Sequence, residues 1–125
     1  MNTFKLDLTN FIEKTKKNVD QKVQIICLNL VSGIVYETPV DTGQAINNWF
    51  TNIGSPSNQT TTDTDPSGRR AIARAQSDIK KAPGNIFWVS NNLPYIYRLE
   101  FEGWSKKAPR GMVRITVDRI QRELR

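Results

Sequence analysis

The chain contains no histidine and only one cysteine, Cys27. Zinc sites built from histidine and cysteine, Ser-His-Asp triads and Cys-His pairs are therefore excluded within one chain. A disulfide framework is excluded too, because Cys27 could bond only to another chain. A histidine-free active site or a metal site made of carboxylates alone is left open by this count. Long apolar runs are also missing, and none approaches the roughly eighteen residues needed to cross a bilayer. Residues 1–9 lack the basic start and apolar stretch of a secretion signal, so synthesis in a cytoplasm is expected. Without secretion, the acceptor-like triplet Asn58-Gln59-Thr60 carries no meaning.

What is present is a basic chain of 125 residues, enough for a single domain, with a formal charge of +6. The charge is unevenly placed. Residues 1–62 hold five lysines against five acids, whereas residues 63–125 hold thirteen Lys or Arg against seven acids. Nine of those thirteen are arginines, whose fixed fork of donors suits carboxylates and phosphates. Two readings follow: a nucleic-acid surface, or a solvated or protein-facing one. No basic block is long enough for a disordered binding arm.

Apolar periodicity predicts the elements. Val19, Val23, Ile26, Leu30 and Ile34, widened by Cys27 and Val31, predict a core-facing helix over about 9–37. Phe4, Leu8, Phe11 and Ile12 extend a weaker face upstream, with Asp7, Thr9 or Asn10 as the cap. Pro39 ends this helix. A helix of nearly thirty residues must cross a small domain or project from it. Pro39, Asp41, Thr42 and Gly43 read as a structural turn, with Asp41 accepting backbone N–H groups nearby. Asp-Thr-Gly also occurs in aspartic proteases, but they need two copies and one is present here.

A strand is expected over about 48–53, then a polar loop over 54–68 that contacts a partner or moves freely. A helix is expected over 69–81 with Ser67 as cap. A strand over 85–90 has apolar residues on both parities, so both its faces should be covered, the outer one by a neighbouring subunit if not by its own chain. A short helix follows over 93–101, and a last helix starts near Pro109 with Val113, Val117, Ile120 and Leu124 on one face. The fold class is therefore α+β: a long N-terminal helix on a small antiparallel sheet with additional helices. Two strands are few for a sheet, so one or two further strands are expected, or a neighbour that extends it.

Three blocks carry a family resemblance. The first is Pro39-Val40-Asp41-Thr42-Gly43 followed by Trp49; the second runs from Val89 to Glu100 and on into Gly103-Trp104-Ser105; the third is Lys107 to Arg114. In this order they resemble the neck, or tail-completion, proteins of tailed bacteriophages, also described as head–tail joining proteins. The resemblance covers the chain from about residue 19 onward. The family often has an Arg or Leu pair after the first-block glycine, where this chain has Gln44-Ala45, and its commoner Glu-x-Gly step is one residue longer here. The resemblance implies a non-enzymatic virion protein forming a homo-oligomeric ring at the head–tail junction and lining part of the DNA channel. Its implied partners are the connector or adaptor and the tail-terminator or tail-tube proteins.

On that reading Asn91, Asn92 and Pro94 set the exit from the second strand, while Tyr95, Tyr97 and Trp104 are interface anchors. Arg98, Glu100 and Glu102 pair with Lys106, Lys107 or Arg110 across subunits. No catalytic residue, cofactor, metal or membrane contact is expected. Contact with channel DNA is at most non-specific, because tight phosphate binding would act at every position along the passing duplex. The alternatives are a tail-terminator ring, a small basic nucleic-acid-binding domain with aromatics between converging arginines, and a histidine-free enzyme. Glu100 and Glu102, two apart, would face differently on a helix, which disfavours a paired acid and base.

Overall fold

The computed structural model describes residues 2–124, with side chains described from Glu13 onward. Five helices and one two-stranded antiparallel sheet are present among them, giving an α+β fold. The order is α1 (Asn2–Glu37), α2 (Gln44–Asn47), β1 (Phe50–Ile53), α3 (Arg69–Lys81), β2 (Phe87–Ser90), α4 (Ile96–Phe101) and α5 (Val113–Glu123). None of these helices is long and apolar enough to cross a membrane.

The 36 residues of α1 span about 54 Å. The helix starts upstream of the expected residue 9, so Asp7, Thr9 and Asn10 fall inside it and do not cap its start. The side chains of Phe4, Leu8, Phe11 and Ile12 lie outside the described residues. Packing against the rest of the fold begins at Val23 and centres on Cys27, Val31, Ile34 and Val35. Val19 lies short of this packed region and is 53% exposed. The buried stripe is therefore rotated towards the two residues expected only to widen it. The cause is that α1 packs against both α3 and α5.

On α3, Ala71, Ala75 and Ile79 fall four residues apart and are all buried, and the two small side chains allow α1 a close approach. On α5 the buried positions are Thr116 and Ile120, while Leu124 is exposed. Thr116 takes the place expected of Val117 because its hydroxyl donates to the Met112 carbonyl at 2.7 Å, so no polar group is left unsatisfied. Gly33 marks the α1–α5 crossing: a Cβ there would lie 2.6 Å from Thr116 Cγ2. This explains a glycine in mid-helix despite its cost of about 1 kcal/mol.

The sheet has two strands among the described residues, without the further one or two expected; Phe50 faces Ser90 and Ile53 faces Phe87. Phe87 and Val89 pack on the core, whereas Ile86 and Trp88 are exposed. The second strand is thus covered on one face by its own chain, not on both. β1 starts at Phe50 and not at Asn48, because Asn47 and Asn48 are engaged elsewhere. Leu93–Tyr95 form a turn before α4 begins. Gly111, at φ 86°, delays α5 until Val113.

Candidate interaction site

The turn after α1 is set by a threonine. Thr38 is fully buried; its hydroxyl donates to the Ile34 carbonyl at 2.6 Å and accepts from Trp49 Nε1 at 2.9 Å. This couples the end of α1 to the start of β1 and gives the Pro39-to-Trp49 spacing a structural reason. Within the turn it is Thr42 Oγ1 that accepts the Gln44 N–H, at 3.2 Å. Asp41, expected to do so, is exposed and leaves this role to Thr42. Gly43 has φ 91°, and a Cβ there would lie 2.5 Å from the Pro66 nitrogen. Its carbonyl accepts both the Asn47 and the Asp65 N–H.

The segment 54–68 therefore passes directly over Gly43, and it is fastened along its length. Asn92 Nδ2 donates to the Ser57 and Gln59 carbonyls at 2.9 and 3.1 Å. Asn48 makes a two-way pair with Thr61, at 3.0 and 2.9 Å. Asn47 Nδ2 donates to the Asp63 carbonyl at 3.1 Å. The guanidinium of Arg74 holds Asn47 in turn, donating to its side-chain and backbone oxygens and to the Trp49 carbonyl. Burial lowers the pKa of Arg74, and the Asp65 carboxylate opposes that shift. The segment is a laced strap, which corrects the expectation of free movement. At its end Asp65 accepts the Ser67 hydroxyl and the Arg70 N–H, and Ser67 accepts the Arg69 N–H. Asp65 thus shares the capping of α3 expected of Ser67 alone, and these hydrogen bonds, first the Ser67 hydroxyl, hold its carboxyl below the ordinary range.

Glu100 organises the third block. It is 6% exposed. Its Oε2 accepts the N–H groups of Met112 and Val113 at 2.6 and 3.0 Å, and its Oε1 accepts the N–H of Arg114 at 2.9 Å. Arg114 Nε also lies 3.3 Å from Oε1, and Arg114 Nη2 donates to the Glu100 carbonyl. A carboxylate at the amino end of α5 satisfies its free donors and its dipole together. Gly111 makes room, since a Cβ there would lie 2.5 Å from the Glu100 carbonyl oxygen. Glu100 is accordingly an internal cap and is removed from the set of residues expected to pair across subunits.

The other residues of the second block divide. Asn91 is turned inward, donating to the Ala45 carbonyl at 3.0 Å and accepting the Leu93 N–H. Pro94, Tyr95, Tyr97, Arg98, Glu102, Trp104, Lys106, Lys107 and Arg110 are exposed. Tyr97, Phe101 and Trp104 are 61, 54 and 60% exposed. The Arg98 guanidinium stacks 4.4 Å from the Trp104 ring centre, and that of Arg114 4.8 Å from Phe101. Tyr97 and Phe101 pack at 4.9 Å with ring planes 40° apart. Phe101 and Arg114 were not singled out from sequence, although the i, i+4 spacing of Tyr97 and Phe101 on a helix was available.

A cleft of about 580 Å³ lies on the other side of α4, lined by the Pro39–Ala45 turn, Tyr95, Leu99 and Trp104–Lys106. Burial raises the Tyr95 pKa, and the nearby Asp41 charge adds to the shift. No cluster of three or more metal-ligating side chains exists among the described residues. Cys27 is buried on the core-facing side of α1, with its thiol pKa raised by burial. No family model, curated protein or solved structure matches this chain.

Proposed function

We propose that the chain is a structural subunit of a tailed-bacteriophage virion, repeated in a closed ring at the head–tail junction. There it joins the connector to the tail and forms part of the DNA channel. One observation carries the reading: the three sequence blocks meet in space. The first two line the same cleft, and the third is capped by Glu100 from the second. A chain whose motif residues fasten a rigid scaffold and leave aromatics outside suits a part that works by contact. In a closed ring each contact is repeated around the axis, so modest interfaces add up.

Imaging the neck of the virion that carries this gene tests the proposal. A ring of this fold between connector and tail tube is expected. Removing the gene should leave filled heads and separate tails. Complete necks without density for this chain would refute it.

A further inference from the structure

The aromatic face of α4 has a charge as well as a shape. Of the five cations between Leu93 and Thr116, Arg98 and Arg114 stack on its rings, whereas Lys106 lines the cleft beyond α4 and Lys107 lies over Tyr36 of α1; of the two acids in the stretch, Glu100 is buried against α5. Glu102 is thus the one exposed carboxylate in this stretch. The guanidinium groups of Arg98 and Arg114 are already stacked on rings, so less side-chain freedom is lost when they meet a carboxylate. Beneath Tyr97 and Phe101 lies a recess of about 300 Å³, with Trp49, Ile96 and Val113 among its walls. It has room for a large apolar side chain.

We infer that the α4 face docks a protein segment in which a large apolar side chain is flanked by carboxylates. The apolar group fills the recess, and the carboxylates meet Arg98 and Arg114, the guanidinium groups stacked on Trp104 and Phe101. This deepens the ring reading, and rests on it for where the partner is found. Two features favour a protein over single-stranded nucleic acid. Trp104 and Phe101 each have one ring face covered by a guanidinium, and Tyr97 is tilted against Phe101, so no row of open faces awaits successive bases. The mostly apolar recess would also leave the polar edges of a base without partners.

The test titrates the intact protein with three probes: a blocked peptide of repeating Glu-Leu-Asp, its lysine-for-acid counterpart, and an oligothymidylate. Binding is read from the indole N–H resonances, with Trp104→Phe and Trp88→Phe supplying the assignments. The acidic peptide should shift the resonance of Trp104, through Arg98, and that of Trp49, a wall of the recess, and leave that of Trp88 in place. Arg98→Gln and Arg98→Glu should weaken binding by about tenfold or more, as should about 0.5 M salt. Urea midpoints of both variants should match the parent, since Arg98 touches only an exposed ring. Absence of binding, equal binding of the lysine peptide, or tighter binding of the oligothymidylate would each overturn the inference. Peptide binding in a protein absent from virion necks would refute the ring reading alone. No peptide binding in a protein present there would refute this inference alone.

Discussion

Glu100→Ala should be the most damaging single change outside the apolar core. The parent carboxylate accepts three consecutive backbone N–H groups at the start of α5 and faces Arg114. Met112 is fully buried, so its N–H would be left without an acceptor, at about 1–3 kcal/mol. The N–H groups of Val113 and Arg114 are nearer to solvent and can recover water. Loss of the negative charge at the helix start adds about 0.3–1 kcal/mol. The sum is about 3 kcal/mol. With a urea dependence of about 2 kcal/mol/M, the midpoint should fall by about 1.5 M. Glu100→Gln keeps the size and one acceptor oxygen but turns an amide NH₂ towards a donor, and about half the loss is expected. Equilibrium urea unfolding, followed by tryptophan fluorescence and by helical circular dichroism, measures both. A midpoint change under about 0.25 M for the alanine variant would refute the capping argument.

Thr38→Val should cost about 1–3 kcal/mol by orphaning the buried Trp49 indole N–H, with Thr38→Ser largely preserving the urea midpoint. Gly43→Ala combines a strained positive φ with a clash against Pro66; it should lift the strap and make residues 55–65 sensitive to limited proteolysis while α1 stays intact. The Asp65 carboxyl is depressed in the folded state, so its contribution is present above the ordinary carboxylate range and is lost as pH falls through its lowered pKa. Asp65→Asn should therefore flatten the acid limb of the stability profile measured by urea unfolding across pH. Cys27 has the opposite sign: its raised thiol pKa makes folded stability fall as pH rises past the ordinary thiol range. At neutral pH it should react with a thiol reagent only as fast as the protein opens, and immediate reaction in native buffer would contradict its burial.

Helices with strong local periodicity were legible from sequence. The bounds of α3 match expectation because Ala71, Ala75 and Ile79 repeat every fourth residue and Pro83 follows closely. The α+β class follows from the same patterns. The capping of α5 was hidden because its acceptor, Glu100, lies 12 to 14 residues earlier. The strap was hidden for a related reason. Asparagines 13 to 35 residues away hold it, and a run of threonines gives no local sign of that. Of the expected site residues, Asn91 and Glu100 proved internal, whereas Arg98 stacks on Trp104, and Tyr97 packs on Phe101, which Arg114 covers. Which face of a short helix turns outward depends on what its neighbours cover, and that information is not local.

Long surface connections are ordinarily the places where a chain accepts extra residues. Here the strap has its length fixed at four points, by Asn92, Asn48, Asn47 and the Gly43 carbonyl. An epitope or fluorescent label placed within 57–65 would have to break one of these fastenings. The short turn at Gly84 has open space around it and carries no such ties across the fold. A label for tracking the protein through assembly therefore belongs at the shorter connection, against the usual preference for the longer one.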